Sequence, residues 1–355
     1  MAAGAGTVFK LGAAASATAP AVDEPFFADR TALRRQFHRA APTFAAGDAL
    51  HREVAARMVE RLGYVKLTPA RTLDLGCATG AAGAALRTLY PKTAITGVDF
   101  APGMAQQAAA QPDGWLARLR GAQRHAVCAD LSALPLAQAS HGLVFSNLAL
   151  HWLDDPAAAL REAHRVLELG GLLMFSMLGP DTLCELRDAW AEAEAGERDA
   201  GAAIQSMPEV RPGTAAENLA ELRVDSAKPA APLARWHVKR FIDLHDIGDL
   251  LVKTGFATPV MDMEKIVLTY QKVEQLVADL RVTGSVNAMQ GRARGITGKR
   301  VWQRAAAAYE KRRSSGRLPA TFEVVYGHAW KAPARKTAGG DDVVRFVGRD
   351  GSQRR

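Results

Sequence analysis

The amino-acid sequence predicts an α/β protein with a doubly wound, largely parallel sheet, and three observations support this fold class. First, residues 71–90 read RTLDLGCATGAAGAALRTLY, in which a buried strand, a glycine turn and a helix-forming run follow one another. Second, strand-like and helix-like segments alternate over about 110 residues, the pattern of consecutive βαβ units. Third, four strands carry Asp or Asn at or near their carboxyl ends, where the ligands of such sheets bind.

The turn between the first strand and its helix is bracketed by Gly76 and Gly80. A dinucleotide fingerprint needs glycine at relative positions one, three and six, but Ala78 and Ala81 occupy the last two of these. The remaining acidic-x-Gly-x-x-x-Gly pattern, which begins at Asp74, resembles motif I of class I S-adenosylmethionine-dependent methyltransferases. That motif usually has glycine where Ala78 stands. A glycine turn without a cofactor role is the alternative interpretation.

The three strands that follow the first one are predicted to place a polar residue at their carboxyl ends. Asp99 follows the glycine turn by about 20 residues, the distance at which an acidic side chain reaches ribose hydroxyls. Asp and Asn are also common in turns, but four such strand ends in register favour a ligand site. The later strands and their polar residues are 94–100 with Asp99, 124–130 with Asp130, and 141–147 with Asn147.

The second half of the sheet is predicted from one more strand and two late ones. A helix is expected from Pro156 to the Gly170–Gly171 pair, followed by a fifth strand at 172–178. Two late β-rich segments, 258–270 and 318–330, suit an antiparallel end of the sheet.

The chain has 355 residues, enough for one large domain with an insertion. Two helices are predicted before the first strand, the second capped by Asp48. A stretch rich in Ala, Glu and Pro, with few large apolar residues, predicts a mobile insertion. The expected division is a disordered tail at 1–29, N-terminal helices and a cofactor-binding core at 30–190, the insertion at 191–235, lid or substrate helices with the closing strands at 236–331, and a disordered tail at 332–355.

Composition narrows the class of protein. Hydrophobic residues make up 48% and charged residues 23% of the chain, as in ordinary globular proteins. No run approaches the ~20 apolar residues of a membrane helix. The three cysteines are far apart, and neither they nor the nine histidines form a metal-binding pattern. We therefore expect a reducing, cytoplasmic environment, no membrane association and no metal site.

Four further stretches carry a more specific signal: FHRAAPTF at 37–44, the segment FSNLALHW through LCELRDAW at 145–190, DLRVTGSVNAMQGR at 279–292 and GRLPATFEVVYGHAW at 316–330. In these stretches the chain resembles the malonyl-acyl-carrier-protein O-methyltransferases of biotin synthesis, the BioC family. The resemblance covers nearly all of residues 31–332. It implies a seven-stranded, Rossmann-like class I methyltransferase fold with an antiparallel last strand and a helical lid.

The resemblance also implies the chemistry. S-adenosyl-L-methionine would be the methyl donor, S-adenosyl-L-homocysteine the product and malonyl-acyl carrier protein the acceptor. A malonyl carboxylate is already ionised at neutral pH, so we expect no general base, and a cation should orient it. His151, Trp152 and Arg39 are candidates for the substrate pocket, with core or surface roles as the alternatives. The implied cofactor-binding residues are Asp74, Gly76, Gly80, Asp99, Phe100, Met104, Asp130, Leu131 and Asn147.

The chain departs from the family pattern at two places. Phe44 stands where the N-terminal motif often ends in tyrosine, and the insertion at 191–235 is longer than expected. Phrases such as LGPDTLCELR, residues 178–187, also resemble the arginine hydroxylases that assist assembly of respiratory complex I. Those proteins keep the cofactor fold but perform different chemistry. Arginine hydroxylation, or methylation of another small molecule or of RNA, therefore remains an alternative.

A basic stretch near the end of the chain predicts an acidic partner. Residues 291–317 contain nine Arg or Lys and one acidic residue, within a chain of net charge +8. Acyl carrier protein is acidic, so this stretch is a candidate docking face; a solvated basic helix is the alternative. Nucleic-acid binding is disfavoured by the aromatic content of 6% and by the lack of a recognised RNA module. The docking candidates are Arg292, Arg294, Lys299 and Arg300.

Overall fold

The computed structural model describes residues 28–111, 124–205, 237–292, 295 and 297–333, with backbone alone for residue 124 and for 196–205. The predicted tails at 1–29 and 332–355 lie almost entirely outside these residues, as does most of the predicted insertion. A helix that begins at Cys184 continues to Gln205 and so crosses into the segment predicted as the insertion. Within the described parts of the chain, no helix is long and apolar enough to cross a bilayer.

The sheet confirms the predicted fold class. It has seven strands in the order β3-β2-β1-β4-β5-β7-β6. β7 pairs antiparallel with both β5 and β6, so β7 is the one reversed strand of this sheet. The strands are β1 (Arg71–Leu75), β2 (Ala94–Asp99), β3 (Arg124–Cys128), β4 (His141–Ser146), β5 (Leu167–Leu178), β6 (Ala257–Tyr270) and β7 (Leu318–Trp330).

Helices cover both faces of the sheet. Ordinary capping explains several of their starts: the Asp29 carboxylate accepts from the Ala32 N–H at 2.9 Å, and Asp155 and Asp243 act in the same way. The helices are α1 (Arg30–Ala40), α2 (Ala49–Gly63), α3 (Ala81–Leu89), α4 (Pro102–Ala110), α5 (Pro156–Val166), α6 (Cys184–Gln205), α7 (Leu244–Lys253), α8 (Val273–Val282) and α9 (Lys299–Glu310).

Two sequence-based expectations about helix ends were wrong. The helix that begins at Pro156 stops at Val166, because Leu167 pairs with His141 of β4 and the chain continues as β5 through the two glycines. Strand pairing therefore ends the helix before it reaches the two glycines that were expected to end it. Asp48 precedes α2 but makes no side-chain cap, because its carboxylate turns to the Arg52 guanidinium at 3.1 Å.

Three groups of buried side chains hold these layers together. One lies between the sheet and α2, α3, α6, α8 and α9, and another lies between the sheet and α5 and α7. The third joins α1 to α4 and includes Leu33, Phe37, Phe44 and Met104. Since α4 follows directly on the carboxyl end of β2, this third group holds α1 over the strand ends. The N-terminal helix thereby becomes a wall of the site.

Candidate active site

Two neighbouring cavities lie at the carboxyl ends of the strands. The strand-end cavity, of about 200 Å³, is lined by α1 and by the ends of β1, β2 and β4. The lid cavity, of about 140 Å³, is lined by α8, by the end of β4 and by the segments 237–241 and 285–289. His51, Leu148 and Trp152 line both. The two cavities therefore meet at these three side chains.

The glycine turn after β1 forms the floor of the strand-end cavity. Gly76 has φ +77°, and its N–H donates to the Val98 carbonyl at 2.7 Å. A Cβ at this position would lie 2.2 Å from the Ala149 Cβ, so only glycine fits. Ala78 also has a positive φ, +46°, which is a strained conformation for alanine. Its N–H donates to Asp99 at 3.0 Å, and this bond helps to hold the turn.

Asp99 is a buried carboxylate at the end of β2, and it lines the strand-end cavity. One oxygen accepts from the Ala78 N–H and the other accepts from the Ala101 N–H at 2.9 Å. Burial raises the pKa of Asp99 to about 6, and the two N–H donors offset this only in part. Each carboxylate oxygen has a second lone pair, so Asp99 can also accept hydrogen bonds from a ligand's hydroxyl groups.

Asp130 and Leu131 follow β3 on the other side of the same cavity. Asp130 accepts from the Ser132 N–H at 2.9 Å and forms an ion pair with Arg30 of α1. Burial raises the pKa of Asp130, but the Ser132 N–H and Arg30 outweigh it and the net shift is downward. Asp130 is therefore an ionised carboxylate at the cavity rim, and the ion pair joins α1 to the end of β3.

Another part of the wall of the strand-end cavity is apolar. Phe100 and Met104 come from the segment after β2, and Phe37 comes from α1. The Phe37 ring meets Phe100 edge-on at 5.9 Å between centroids and Trp152 edge-on at 5.2 Å. Such a wall suits a flat aromatic ring of a ligand. The polar groups of that ligand would then face Asp99 and Asp130 on the opposite side.

Asn147 follows β4 and lines the strand-end cavity, but both ends of its amide are bound to the protein. Its Nδ2 donates to the His51 carbonyl at 2.9 Å, and its Oδ1 accepts from Ser176 Oγ at 2.9 Å. The next residue, Leu148, has φ +49° and separates the two cavities. Asn147 therefore joins α2 and β5 at the place where the two cavities meet. The positive φ of Leu148 at this place is backbone strain of the kind found at functional sites.

His151 and Trp152 lie in a short 3-10 helix after β4 and line the lid cavity. His151 is 5% exposed. Its Nδ1 accepts from the Leu178 N–H at 3.4 Å, while Nε2 is buried without a partner. Burial, Lys239 and His51 hold the pKa of His151 well below its usual range, so the ring is neutral. Because Nδ1 accepts, the proton of the neutral ring is on Nε2, which is therefore a donor without a partner.

The structure does not bring every candidate to these cavities. Asp74 is buried at the end of β1, where it lines a separate small cavity with Gly80 and Gly97. Arg39 is exposed on α1 and lines neither the strand-end cavity nor the lid cavity. The cofactor roles of Asp74 and Gly80 and the substrate role of Arg39 remain predictions.

The four basic docking candidates also differ from one another. Arg292 pairs with Asp29 at 3.0 Å and donates to the Met289 carbonyl, so it ties the end of the 279–292 segment to the start of α1. Lys299 and Arg300 are exposed in the first turn of α9. Arg294 lies outside the described residues.

Sequence reasoning missed three residues that the fold places at the cavities. Arg30 lines the strand-end cavity, His51 lines both cavities, and Lys239 lines the lid cavity. His51 lies in the second predicted helix, directly after the buried Leu50, and this position was a weak signal. Lys239 stands in WHVKRF, a segment without a motif. Arg30 follows the capping residue of α1, and nothing local marks it.

Comparison with known proteins defines the class. The methyltransferase domain family matches residues 73–175, which span β1 to β5 and include the glycine turn and all four of the polar strand ends. This match, the seven-stranded sheet and the relatives described next together make the chain an S-adenosylmethionine-dependent methyltransferase.

Full-length relatives define the family. The malonyl-[acyl-carrier protein] O-methyltransferase of Laribacter hongkongensis is 44% identical over 91% of this chain and 97% of its own length. The enzymes of that name from Gallionella capsiferriformans and Nitrosospira multiformis are 42% and 40% identical, over 90% and 92% of this chain and 97% of each relative. The chain belongs to the malonyl-[acyl-carrier protein] O-methyltransferase family.

Proposed function

We propose that this protein transfers a methyl group from S-adenosylmethionine to the free carboxylate of a malonyl thioester on acyl carrier protein, an early cytoplasmic step of biotin biosynthesis. The observation that carries this proposal is the meeting of the strand-end cavity and the lid cavity at His51, Leu148 and Trp152. A donor in the first cavity and an acceptor in the second can approach each other there. Relatives over 40% identical carry this activity in their names.

The residues of the strand-end cavity fit S-adenosylmethionine. Asp99 would accept hydrogen bonds from the ribose hydroxyls, and Asp130 and Leu131 would contact the adenine beside the wall of Phe100 and Met104. The missing Cβ of Gly76 lets the turn pack directly against Ala149, which also lines this cavity. A third cavity next to Gly76 extends to the start of α3, where backbone N–H groups suit the cofactor's carboxylate.

The chain's own residues have a simple task in this reaction. S-adenosylmethionine supplies an electrophilic methyl group when it is bound. The malonyl carboxylate is ionised at neutral pH, so no residue has to remove a proton. Trp152 and Leu148 form the junction across which the carboxylate oxygen must face the methyl group, and the apolar lining excludes water. The reaction therefore depends on alignment and on the charge environment of the carboxylate.

The proposed function is tested by methyl transfer from labelled S-adenosylmethionine. Label is expected on malonyl-acyl carrier protein and not on acetyl-acyl carrier protein, which has no free carboxylate. Alkaline hydrolysis should release the label as methanol, because the product is a methyl ester. Absence of label on the malonyl form would refute the proposal. An oxygen atom added to an arginine of a partner protein, without methyl transfer, would support the hydroxylase alternative.

We further propose that Lys299 and Arg300 contribute to carrier-protein docking. Both are exposed in the first turn of α9, whose cap residue Gly298 has no side chain to neutralise the helix N-terminus. Cations at that end add to the positive helix dipole instead of balancing it, which favours an anionic partner.

Aromatic contacts connect this helix start to the lid cavity. Trp302 lies 6.0 Å from Trp190, and Trp190 stacks on His237 at 3.8 Å between ring centroids. His237 lines the lid cavity. A carrier protein bound at the start of α9 is therefore close to the cavity that its acyl group would enter.

The double variant Lys299→Glu/Arg300→Glu is expected to lower kcat/KM for malonyl-acyl carrier protein about tenfold, mainly through KM and most strongly at low salt. Activity on malonyl-pantetheine should stay unchanged, because this acceptor has no protein surface. The matched control is Arg161→Glu/Lys253→Glu, which reverses two exposed charges on the other face of the sheet. Equal losses in the two double variants would mean that net charge, and not this site, is responsible.

A further inference from the structure

One lysine with a largely buried side chain lines the lid cavity, most of whose other lining residues are apolar. Among the described residues that line this cavity, Lys239 is the only lysine or arginine. Its side chain is 13% exposed. Apolar side chains, including Leu178, Val238 and Phe241, form much of the lining around it. A lysine is seldom placed in such a position without an anionic partner, since burying its charge is costly.

The protein offers the ammonium group of Lys239 only long hydrogen-bond and ion-pair contacts. Nζ lies 3.5 Å from the Leu153 carbonyl and 3.9 Å from a carboxylate oxygen of Asp154. That same oxygen accepts from the Ala28 N–H at 3.0 Å, so it is shared. Burial lowers the pKa of Lys239 to about 8, and Asp154 does not restore it. At neutral pH the group is still mainly protonated, and it has hydrogen-bonding capacity left for a ligand.

A second unused donor lies beside the lysine. His151 lines the same cavity, and its buried Nε2 has no partner. The proximity of Lys239 contributes to keeping His151 neutral. Lys239 and His151 therefore offer one cation and one neutral N–H donor. They lie at the end of the lid cavity that meets the strand-end cavity, because the His151 ring is 5.0 Å from the ring of Trp152, which lines both cavities.

We propose that Lys239 binds the free carboxylate of the acyl group, with His151 Nε2–H as the neighbouring donor, and thereby selects acyl thioesters that end in a carboxylate. This inference rests on the proposed function and names the residue that recognises its substrate. A single ammonium group contacts a carboxylate as a point charge and leaves one oxygen free to react, which a bidentate arginine would not.

The balance of charge in the reaction suits this arrangement. The carboxylate oxygen forms the new C–O bond to the methyl group, and the electron pair of the C–S bond remains on sulfur. No proton moves. The anion next to Lys239 becomes a neutral ester, so the ion pair that held the substrate is lost in the product. Lys239 therefore favours binding of the acid and release of the ester.

The test uses Lys239→Met, which keeps the length of the side chain and removes its charge. We expect kcat/KM for malonyl-acyl carrier protein to fall about 30-fold, mainly through KM, because one charge-assisted hydrogen bond is lost. The affinity for S-adenosylmethionine should stay within about twofold of the unchanged protein. Lys239→Arg should recover part of the KM, and Arg240→Met, an adjacent exposed cation that does not line the lid cavity, should have no effect on KM.

A binding measurement separates this inference from the proposed function. The unchanged protein, loaded with S-adenosylhomocysteine, should bind malonyl-acyl carrier protein more tightly than its methyl ester, and Lys239→Met should bind both equally. If the unchanged protein methylates the malonyl form but Lys239→Met retains its KM and its preference for the acid, the assignment of Lys239 is wrong. If the unchanged protein does not methylate the malonyl form, the proposed function is wrong, whatever Lys239 binds.

Discussion

Replacement of Gly76 with alanine is expected to weaken S-adenosylmethionine binding by about a thousandfold or more and to abolish methyl transfer. The new Cβ would lie 2.2 Å from the Ala149 Cβ, a distance that real contacts do not reach. The φ of +77° adds a strain of about 1–2 kcal/mol for any residue with a Cβ. To relieve this clash, the turn after β1 must move away from the segment that contains Ala149. Both the turn and Ala149 line the strand-end cavity.

Isothermal titration with S-adenosylmethionine measures the loss of cofactor affinity, and urea unfolding measures the loss of stability that the strain causes. Gly170→Ala is the matched control, because Gly170 has φ +80° but a Cβ there would meet nothing within 4 Å. That variant should lose only the conformational strain and keep its cofactor affinity. If Gly76→Ala binds the cofactor as well as Gly170→Ala does, the close packing of the turn is not what shapes the site.

Asn in place of Asp99 is expected to lower the affinity for S-adenosylmethionine about a hundredfold at pH 8. The amide cannot offer two acceptor oxygens, so it cannot hold the Ala78 and Ala101 N–H groups and the ribose hydroxyls together. The turn that contains Gly76 should also loosen, since the Ala78 N–H bond joins it to β2. Titration of each variant at pH 8 measures the loss.

The pKa of Asp99 predicts how the affinity of the unchanged protein varies with pH. Burial raises this pKa from 3.8 to about 6 in the folded protein. The protonated carboxyl therefore stabilises the fold below about pH 4, and this contribution is lost as the pH rises through about 6. Hydroxyl donors prefer the ionised carboxylate, so the affinity for S-adenosylmethionine should rise between pH 5 and about pH 7 and then level off.

The dissociation constant, measured across this pH range, tests the assignment. Asp99→Asn should flatten the profile, while the exposed Asp249→Asn, on α7, should leave it unchanged. A profile that keeps its rise in Asp99→Asn would place the titrating group elsewhere.

The local patterns of the chain determined much of this protein. The strand, turn and helix at 71–90, the alternation that follows and the polar strand ends were enough to predict the sheet and the edge where the strand-end cavity lies. These features depend on neighbours in sequence, because periodicity and turn chemistry act over a few residues. The same local reasoning failed at Gly170, where pairing with distant strands decided the conformation.

Only the tertiary structure decided which side chains surround the two cavities. Arg30 reaches Asp130 across 100 residues of sequence, and Lys239 approaches Asp154 and His151 from a segment more than 80 residues away. Nothing in a stretch such as WHVKRF indicates that its lysine is buried, because burial depends on how α1, α2 and the later segments pack over the strand ends. The sequence thus determined the fold and the place of the site, whereas long-range packing decided which groups the substrate would meet.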